Sequence, residues 1–174
     1  IVVGLLLMMQ LREQLLEKEY GEIAGAMTVK WEGEELPLPV ASSYLENKQR
    51  DIRKSMWHYI VDRRLQDQNA LDQLFNKMIN LRQKIAVNAG YENYRDYKFD
   101  ELGRFDYTKA DCFSFHNAIQ KVVLPIVDEL MILRKQNLKV EKLRAWDLNC
   151  DLFLADPLKP FNGQEELVNK TIAC

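Results

Sequence analysis

The sequence predicts a mainly α-helical fold, a bundle of long helices with one small β-hairpin. Apolar residues recur at helical spacing over several long stretches, whereas strict alternation is confined to one short segment. Only 7 Gly and 5 Pro occur in 174 residues, which favours long helices over a turn-rich β fold. The composition, 47% apolar and 29% charged, is that of an ordinary globular protein. We therefore expect a single helical region over residues 1–174.

The first predicted helix runs from about Leu5 to Ile23, with Gly21 and Gly25 near its end. The apolar opening Ile1–Met9 is similar to the core of a signal peptide. It has neither an initiator Met nor a basic leader, and it is too short to span a bilayer. Because the segment continues into a helical pattern, we expect a buried helix whose start is truncated, and no membrane partner.

The segment 26–38 is the predicted β-hairpin, and a short helical connector is expected at residues 41–47. Prolines near the end of the hairpin have no N–H to donate, so the second strand is predicted to be an edge strand. The alternating residues are Met27, Val29 and Trp31, followed by a turn at Glu32–Glu34.

An uninterrupted helix is predicted from Gln49 to Ala89. About forty residues at a rise of about 1.5 Å give a rod of roughly 60 Å, which must pack against several other elements. No Pro or Gly interrupts the pattern, and Gly90 supplies a left-handed stop. The expected buried positions are Trp57, Val61 and Leu65 in one row, then Leu71, Leu74, Phe75, Met78, Ile79, Ile85 and Ala89.

Two more helices are predicted before residue 140. A short one lies within Tyr91–Leu102. A longer one begins at Thr108, which forms an N-cap with Asp111, and runs to about Asn137. Pro125 should kink it, because proline removes one backbone hydrogen bond. The expected buried stripe of this helix is Cys112, Phe115, Ile119, Val122, Ile126, Leu130 and Leu133.

The last part of the chain is predicted to be a loop over Leu148–Phe161, followed by a helix capped by Asn162 and Glu165. Both ends of the sequence stop inside helical patterns. We therefore expect the chain to be a piece of a larger protein, truncated at both ends.

Charge and cysteine content narrow the functional classes. A net charge of −2 leaves no basic surplus to neutralise phosphates, so no nucleic-acid partner is expected. Cys112, Cys150 and Cys174 fit neither a disulfide framework nor a paired-cysteine zinc site. Reduced thiols and a cytoplasmic location are expected, with Cys112 as a structural thiol on a buried helix face.

The two histidines argue against a metal or catalytic site in these residues. A zinc peptidase helix needs two His four residues apart, with a Glu between them. Instead, Asp62 follows His58 and Gln120 follows His116 at that spacing. We expect His58 to pair with Asp62 on the surface and His116 to be buried beside Phe115. With no nucleophile elbow or phosphate loop present, we assign no catalytic residue and no metal ligand.

Two further groups of side chains are assigned to packing. A basic run interleaved with aspartates is expected to form an exposed, salt-bridged helix face. Most of a dense aromatic group is expected to pack between the two long helices, and the alternative for one or two of its rings is a position facing a substrate groove. The basic run is Arg50, Arg53, Lys54, Arg63 and Arg64, with Asp51, Asp62 and Asp67; the aromatic group is Tyr91, Tyr94, Tyr97, Phe99, Phe105 and Tyr107.

Five segments together carry a family resemblance. They are Tyr20–Trp31, Arg63–Asp67, Ala89–Tyr97, Glu101–Thr108 and Leu143–Leu148. In their order and spacing they resemble oligoendopeptidase F, a zinc peptidase family of the thimet-oligopeptidase type, over nearly the whole chain. Ala145 departs from the family, which often has Pro at this point.

The resemblance implies a mostly helical enzyme with a deep channel that admits short oligopeptides and excludes folded proteins. It also implies one zinc ion, held by two His of a His-Glu-x-x-His motif and by a later Glu, with the motif Glu activating a water. None of these ligands is in this chain, so the resemblance places it before the zinc motif, in one wall of the channel. Zinc and oligopeptide substrates are expected of the full-length parent, and the catalytic domain is the expected partner of this stretch.

By analogy with the family, Arg104, Tyr107, Trp146 and Asp147 are candidates for residues that face or support the substrate cleft. The alternative is a structural role for all of them, as an aromatic plug, an Arg–carboxylate pair and a helix cap.

The sequence therefore predicts a non-catalytic portion of a zinc-dependent metalloendopeptidase that hydrolyses short oligopeptides, and this portion should be inactive alone. One alternative is an independent all-α module that binds peptides or proteins without catalysis. Another is a degenerate relative that has lost its active site and only binds peptides. If a catalytic domain normally covers this piece, the piece alone should expose apolar surface and self-associate.

Overall fold

The predicted fold class is confirmed: the chain is mainly helical, with one two-stranded antiparallel hairpin. A computed structural model describes residues 2–155 and 160–172. None of the helices in these ranges is long and apolar enough to cross a membrane. The elements are α1 Val2–Gly25, β1 Thr28–Trp31, β2 Glu34–Pro37, α2 Leu38–Ser43, α3 Arg50–Gln66, α4 Gln68–Asn88, α5 Tyr94–Glu101, α6 Lys109–Ala118, α7 Leu124–Asn137 and α8 Gly163–Ile172, with short 3-10 turns at Tyr44–Glu46 and Ala145–Asp147.

The hairpin forms where alternation predicted it. Val29 pairs with Leu36 across the two strands. Glu32 and Gly33 connect the strands with φ angles of 51° and 89°, the left-handed pair of a two-residue type I′ turn. The buried side of the hairpin meets α2 and α3 in the first core cluster. That cluster comprises Met27, Val29, Leu36, Leu38, Ala41, Leu45, Met56 and Ile60.

A second core cluster joins α1, α4 and α5. Leu81, Ile85 and Ala86 of α4 are buried with Tyr97 of α5, and apolar side chains of α1 pack against them. One edge of this cluster is polar: the guanidinium of Arg82 lies 2.6 Å from Glu13 Oε1. The Tyr94 hydroxyl donates to the same oxygen at 2.9 Å.

The predicted single rod from Gln49 to Ala89 is wrong in one respect, because the helix is interrupted at Asp67. Its φ and ψ of −98° and 9° leave the helical region and separate α3 from α4. The Asp67 carboxylate pairs with Arg63 one turn earlier, in keeping with the preference of aspartate for helix ends. Gly90, with φ 87°, lies directly after the end of this helical region, as predicted.

The predicted buried rows of α3 and α4 are only partly right. In α3 the buried residues are Arg53, Met56 and Ile60, while Leu65 is exposed. In α4 Leu74 and Ile85 are buried as expected, but Phe75 and Ile79 are exposed. The hydrophobic period located the helices correctly and misplaced part of the face that packs.

The long helix after Thr108 forms with the predicted cap. The Thr108 N–H donates to the Asp111 carboxylate at 2.8 Å, and the Asp111 N–H donates back to Thr108 Oγ1 at 3.3 Å. Pro125, in the first turn of α7, has no N–H to donate to the carbonyl one turn before it. A π turn at Ile119–Val123, directly before α7, separates α6 from α7.

The expected buried stripe of this helix is wrong. No residue of α6, the π turn or α7 is buried. His116 is exposed, with its ring 6.3 Å from that of Phe113, and Cys112 is only half-buried. The pattern correctly indicated an apolar helix, but the described residues supply no element that covers it. The five stripe residues with exposures of 38–64% are Phe115, Val122, Ile126, Leu130 and Leu133.

The C-terminal part of the structure agrees in outline with the predicted loop and final helix. No regular element follows the turn at Ala145–Asp147 as far as residue 155, and residues 156–159 of the predicted loop lie outside the described residues. Helix α8 begins as expected, but the side chain that accepts the Asn162 N–H is Glu166, at 2.5 Å, instead of Glu165.

Replacing Gly33 by alanine should destabilise the protein by about 1–2 kcal/mol, because an L-residue is strained at φ 89°. Gly21→Ala is the matched control. Neither added Cβ would meet an atom within 4 Å, so the two variants differ in backbone conformation alone. The control, in a helix, should be stabilised by up to about 1 kcal/mol. Urea unfolding followed by circular dichroism measures both, and equal effects would contradict the turn assignment.

Tyr94 should make stability depend on alkaline pH. Burial, followed by its hydrogen bond to Glu13, raises the pKa of Tyr94 to about 12. Since the folded pKa lies above the unfolded value near 10, this contribution is complete below about pH 10. It should disappear as the pH rises from about 10 to 12. The difference in unfolding free energy between the unmodified protein and Tyr94→Phe, measured from pH 8 to 12, should shrink over that interval; a constant difference would contradict the assignment.

Candidate functional site

Two of the four candidate residues, Trp146 and Asp147, lie where the chain returns from α7 to the beginning of α3. They belong to the 3-10 turn Ala145–Asp147, which packs on α3. The Arg144 N–H donates to Asp147 Oδ2 at 3.0 Å, so the aspartate side chain caps its own turn. The turn therefore presents a carboxylate to the first two turns of α3.

Asp147 is completely buried and is held by two arginines of α3. Arg50 donates from Nε to Oδ1 at 2.9 Å and from Nη2 to Oδ2 at 2.8 Å, a bidentate pair. Arg53 donates from Nη2 to Oδ1 at 3.2 Å. With the Arg144 N–H, the carboxylate accepts four hydrogen bonds and has no free side.

Arg53 is buried to the same degree, with 1% of its surface exposed. Its Nε donates to the Trp146 carbonyl at 2.9 Å, and its Nη1 donates to the carbonyls of Asn47 and Lys48 at 2.8 and 3.0 Å. The prediction that the basic run forms an exposed face is therefore wrong for Arg53. For Arg63 the predicted ion pair is confirmed, since it pairs with Asp67 at the end of α3, but its side chain is half-buried and not exposed.

Helix α7 joins this cluster through Arg134. Its Nη1 donates to the carbonyl oxygens of Asp147 at 3.1 Å and Cys150 at 2.6 Å. The buried Cys150 thiol lies 3.5 Å from the Asp147 carbonyl oxygen. One turn of the chain thus links the start of α3 to the end of α7.

Trp146 lies in an aromatic and cationic cluster on α3. Its ring centroid is 5.5 Å from those of both Trp57 and His58. The Arg50 guanidinium and the Lys54 ammonium lie 5.9 and 6.0 Å from the Trp146 ring. Within the described part of the chain, the buried indole Nε1 of Trp146 has no hydrogen-bond acceptor.

The other two candidates, Arg104 and Tyr107, lie between α5 and α6. Both contact Phe99: the Arg104 guanidinium lies 5.6 Å from its ring and the Tyr107 ring lies 5.5 Å away. Both side chains are exposed. Among residues 2–155 and 160–172, no hydrogen bond, ion pair or ring contact joins this pair to Trp146 or Asp147.

The electrostatics of Asp147 suit a structural ion pair. Burial alone would raise the pKa of Asp147, but hydrogen bonds from Arg50, the Arg144 backbone and Arg53 together hold that pKa below its ordinary value. The carboxylate stays charged at neutral pH and all its lone-pair directions are occupied. It has no capacity to take a proton from a water or a substrate, so its chemistry here is positioning.

The residues present do not fit a zinc site. The two histidines lie on different helices, His58 on α3 in edge-on and tilted contact with two tryptophan rings and His116 on α6 beside Phe113. The described residues contain no group of three or more His, Cys, Asp or Glu side chains that could hold a metal ion.

Sequence reasoning named Asp147 and missed the residues that hold it. Arg53 shares the spacing of Met56 and Ile60, a buried face at i, i+3 and i+7, and that spacing was available in the sequence. No comparable pattern marks Arg134 or Cys150, because their partners are backbone carbonyls within and just after the 3-10 turn.

Comparison with known proteins identifies the family. A sequence model described as peptidase family M3 matches residues 43–169, which is most of the chain. The chain belongs to peptidase family M3. No match was found among curated proteins.

Solved structures share the fold of this chain. A structure assigned to oligoendopeptidase F from Bacillus anthracis str. Ames superposes with a TM-score of 0.87 at 21% identity, over 97% of this chain and 31% of that one. A second structure assigned to oligoendopeptidase F superposes with a TM-score of 0.81 at 23% identity, over 84% of this chain and 26% of that one. PZ peptidase A, solved with an inhibitor, gives 0.79 at 25% identity, over 82% and 25%. The chain therefore spans about a third or less of the length of each.

Asp147→Asn should destabilise the fold by about 3–5 kcal/mol, because it leaves the buried Arg53 guanidinium without a counter-charge. The control is Glu22→Gln, which removes the exposed Lys18–Glu22 pair and should cost less than about 1 kcal/mol. Denaturant midpoints of the two variants give the comparison. If both lose the same small amount, the cluster is not the anchor described.

Proposed function

We propose that this chain is a non-catalytic part of a zinc-dependent metalloendopeptidase that hydrolyses short oligopeptides. The observation that carries the proposal is the match to peptidase family M3 over residues 43–169. The extended similarity to the oligoendopeptidase F structure supports it, since 97% of this chain takes part in a fold about three times longer. The zinc ligands and the catalytic Glu would come from the polypeptide outside residues 1–174, because this sequence has no His-Glu-x-x-His motif.

The proposed role of this part is to form a helical wall of the substrate channel. Arg104 and Tyr107 are exposed and are the proposed cleft-facing residues. Trp146 and Asp147 are proposed to support the wall from behind, since Asp147 ties α3 to the turn after α7. The half-buried Cys112 and the buried Cys150 are free thiols, which supports the proposal of a cytoplasmic enzyme.

The surface of α6 and α7 supports the proposal that a further domain covers this part. A wide apolar helix face is normally packed against another element of the protein. At about 100° per residue, the exposed apolar side chains of these helices extend over more than half of the circumference. They include Phe113, Phe115, Val122, Val123, Leu124, Ile126, Val127, Leu130, Ile132 and Leu133.

The full-length polypeptide should cleave a quenched fluorescent oligopeptide and lose this activity when a chelator removes zinc, recovering when zinc is restored. Residues 1–174 alone should show no cleavage. Activity of the isolated chain that a chelator abolishes would refute its non-catalytic role. A full-length polypeptide that shows no zinc-dependent cleavage would contradict the enzyme proposal and favour the alternative, a helical binding module.

The isolated chain should self-associate, because the apolar surface of α6 and α7 has no cover in it. Light scattering at increasing protein concentration should show a rising average mass. Phe115→Glu and Ile126→Glu place charges in this exposed surface and should reduce the association. A clean monomer at high concentration would count against a missing covering domain.

A further inference from the structure

A groove between α1 and α4 combines an apolar floor with a basic rim. Its volume is about 590 Å³. Leu5, Met8 and Leu16 of α1 form the apolar side, and Met8 is 70% exposed. The α4 side is mostly polar, with Lys77 and Lys84 two turns apart on the same helix face. A groove with an apolar floor and a basic rim can bind an amphipathic helix, whose apolar face covers the floor.

The charge of the groove is unbalanced. Arg12 and Lys84 line it, and within the described residues neither forms an ion pair; Lys77 has only a distant partner, Glu19, at 3.7 Å. The opposite edge of the same helix pair is different. There Arg82 is matched by Glu13 at 2.6 Å and by Glu17 at 3.3 Å. The two edges of one helix pair thus differ, one with its positive charge compensated and one without.

We propose that the α1–α4 groove is the docking site of an amphipathic helix that carries acidic side chains, supplied by the part of the polypeptide outside residues 1–174. This inference rests on the proposed function, in which the chain is one portion of a larger enzyme. The apolar stripe of the docked helix covers the exposed floor, and its carboxylates pair with Arg12 and Lys84.

The dimensions of the groove define the length of the docked helix. From Leu5 to Leu16 the floor extends over eleven residue steps of α1, about 17 Å at a rise of about 1.5 Å per residue. A docked helix of about three turns covers that distance. Met8 in the floor adds tolerance, because an unbranched thioether side chain adapts to an irregular neighbour. Acidic side chains on both flanks of the stripe distinguish this helix from one that binds by apolar contact alone.

Carbodiimide cross-linking of the full-length polypeptide tests the inference, because the reagent joins an amine directly to a carboxylate in contact with it. Lys84 should link to an Asp or Glu in a peptide outside residues 1–174. Lys18–Glu22 is the internal positive control, since this pair lies at 3.2 Å. Lys84→Arg keeps the charge but cannot form the amine product. It should remove the Lys84 link alone, with the thermal midpoint unchanged.

A double variant tests whether Arg12 and Lys84 attract carboxylates of the docked helix. Arg12→Glu with Lys84→Glu should lower the thermal midpoint of the full-length polypeptide by several degrees, while Lys18→Glu on the exposed surface should not. Links from Lys84 only to residues 1–174 would overturn the inference. So would links to a second copy, detected in a mixture of ¹⁵N-labelled and unlabelled protein. Zinc-dependent cleavage that persists without the predicted link would overturn this inference and leave the proposed function standing.

Discussion

The structure depends on one buried carboxylate, that of Asp147. It accepts hydrogen bonds from Arg50 and Arg53 at the start of α3 and from the backbone of its own turn. Arg134 of α7 binds the carbonyl of the same residue. Removing the charges of Asp147 and Arg53 from water is costly. Their attraction offsets that cost only when every hydrogen-bond partner is in place. The start of α3, the turn and the end of α7 therefore assemble together or not at all.

Local rules predicted much of the fold. The turn at Gly33, the cap at Thr108 and the stop at Gly90 depend on one to four neighbouring residues, and each lies where the sequence placed it. The helical period also identified every long helix. It did not detect the break at Asp67, because one residue outside the helical region leaves the hydrophobic pattern almost unchanged.

Features that depend on distant partners were not predictable in the same way. Arg53 is charged and lies in a charged run, and the counter-charge that makes its burial favourable comes from Asp147, 94 residues away. The same limit applies to His116 and to the apolar residues of α6 and α7. A periodic pattern shows that a face is apolar but does not say what covers it. For the candidate site, the sequence supplied Trp146 and Asp147, and the structure supplied the arginines that hold them.

The π turn at Ile119–Val123 changes what the long helix offers to its surroundings. A π turn adds about one residue to a helical turn, so the residues after it are rotated by roughly 100° relative to an unbroken helix. A stripe that would face a single direction becomes two stripes on different sides of the same rod. Phe115 before the turn and Leu133 after it, which would lie on the same side of an unbroken helix, therefore face directions about 100° apart. One continuous helix can in this way act as the shared wall of two separate packing layers.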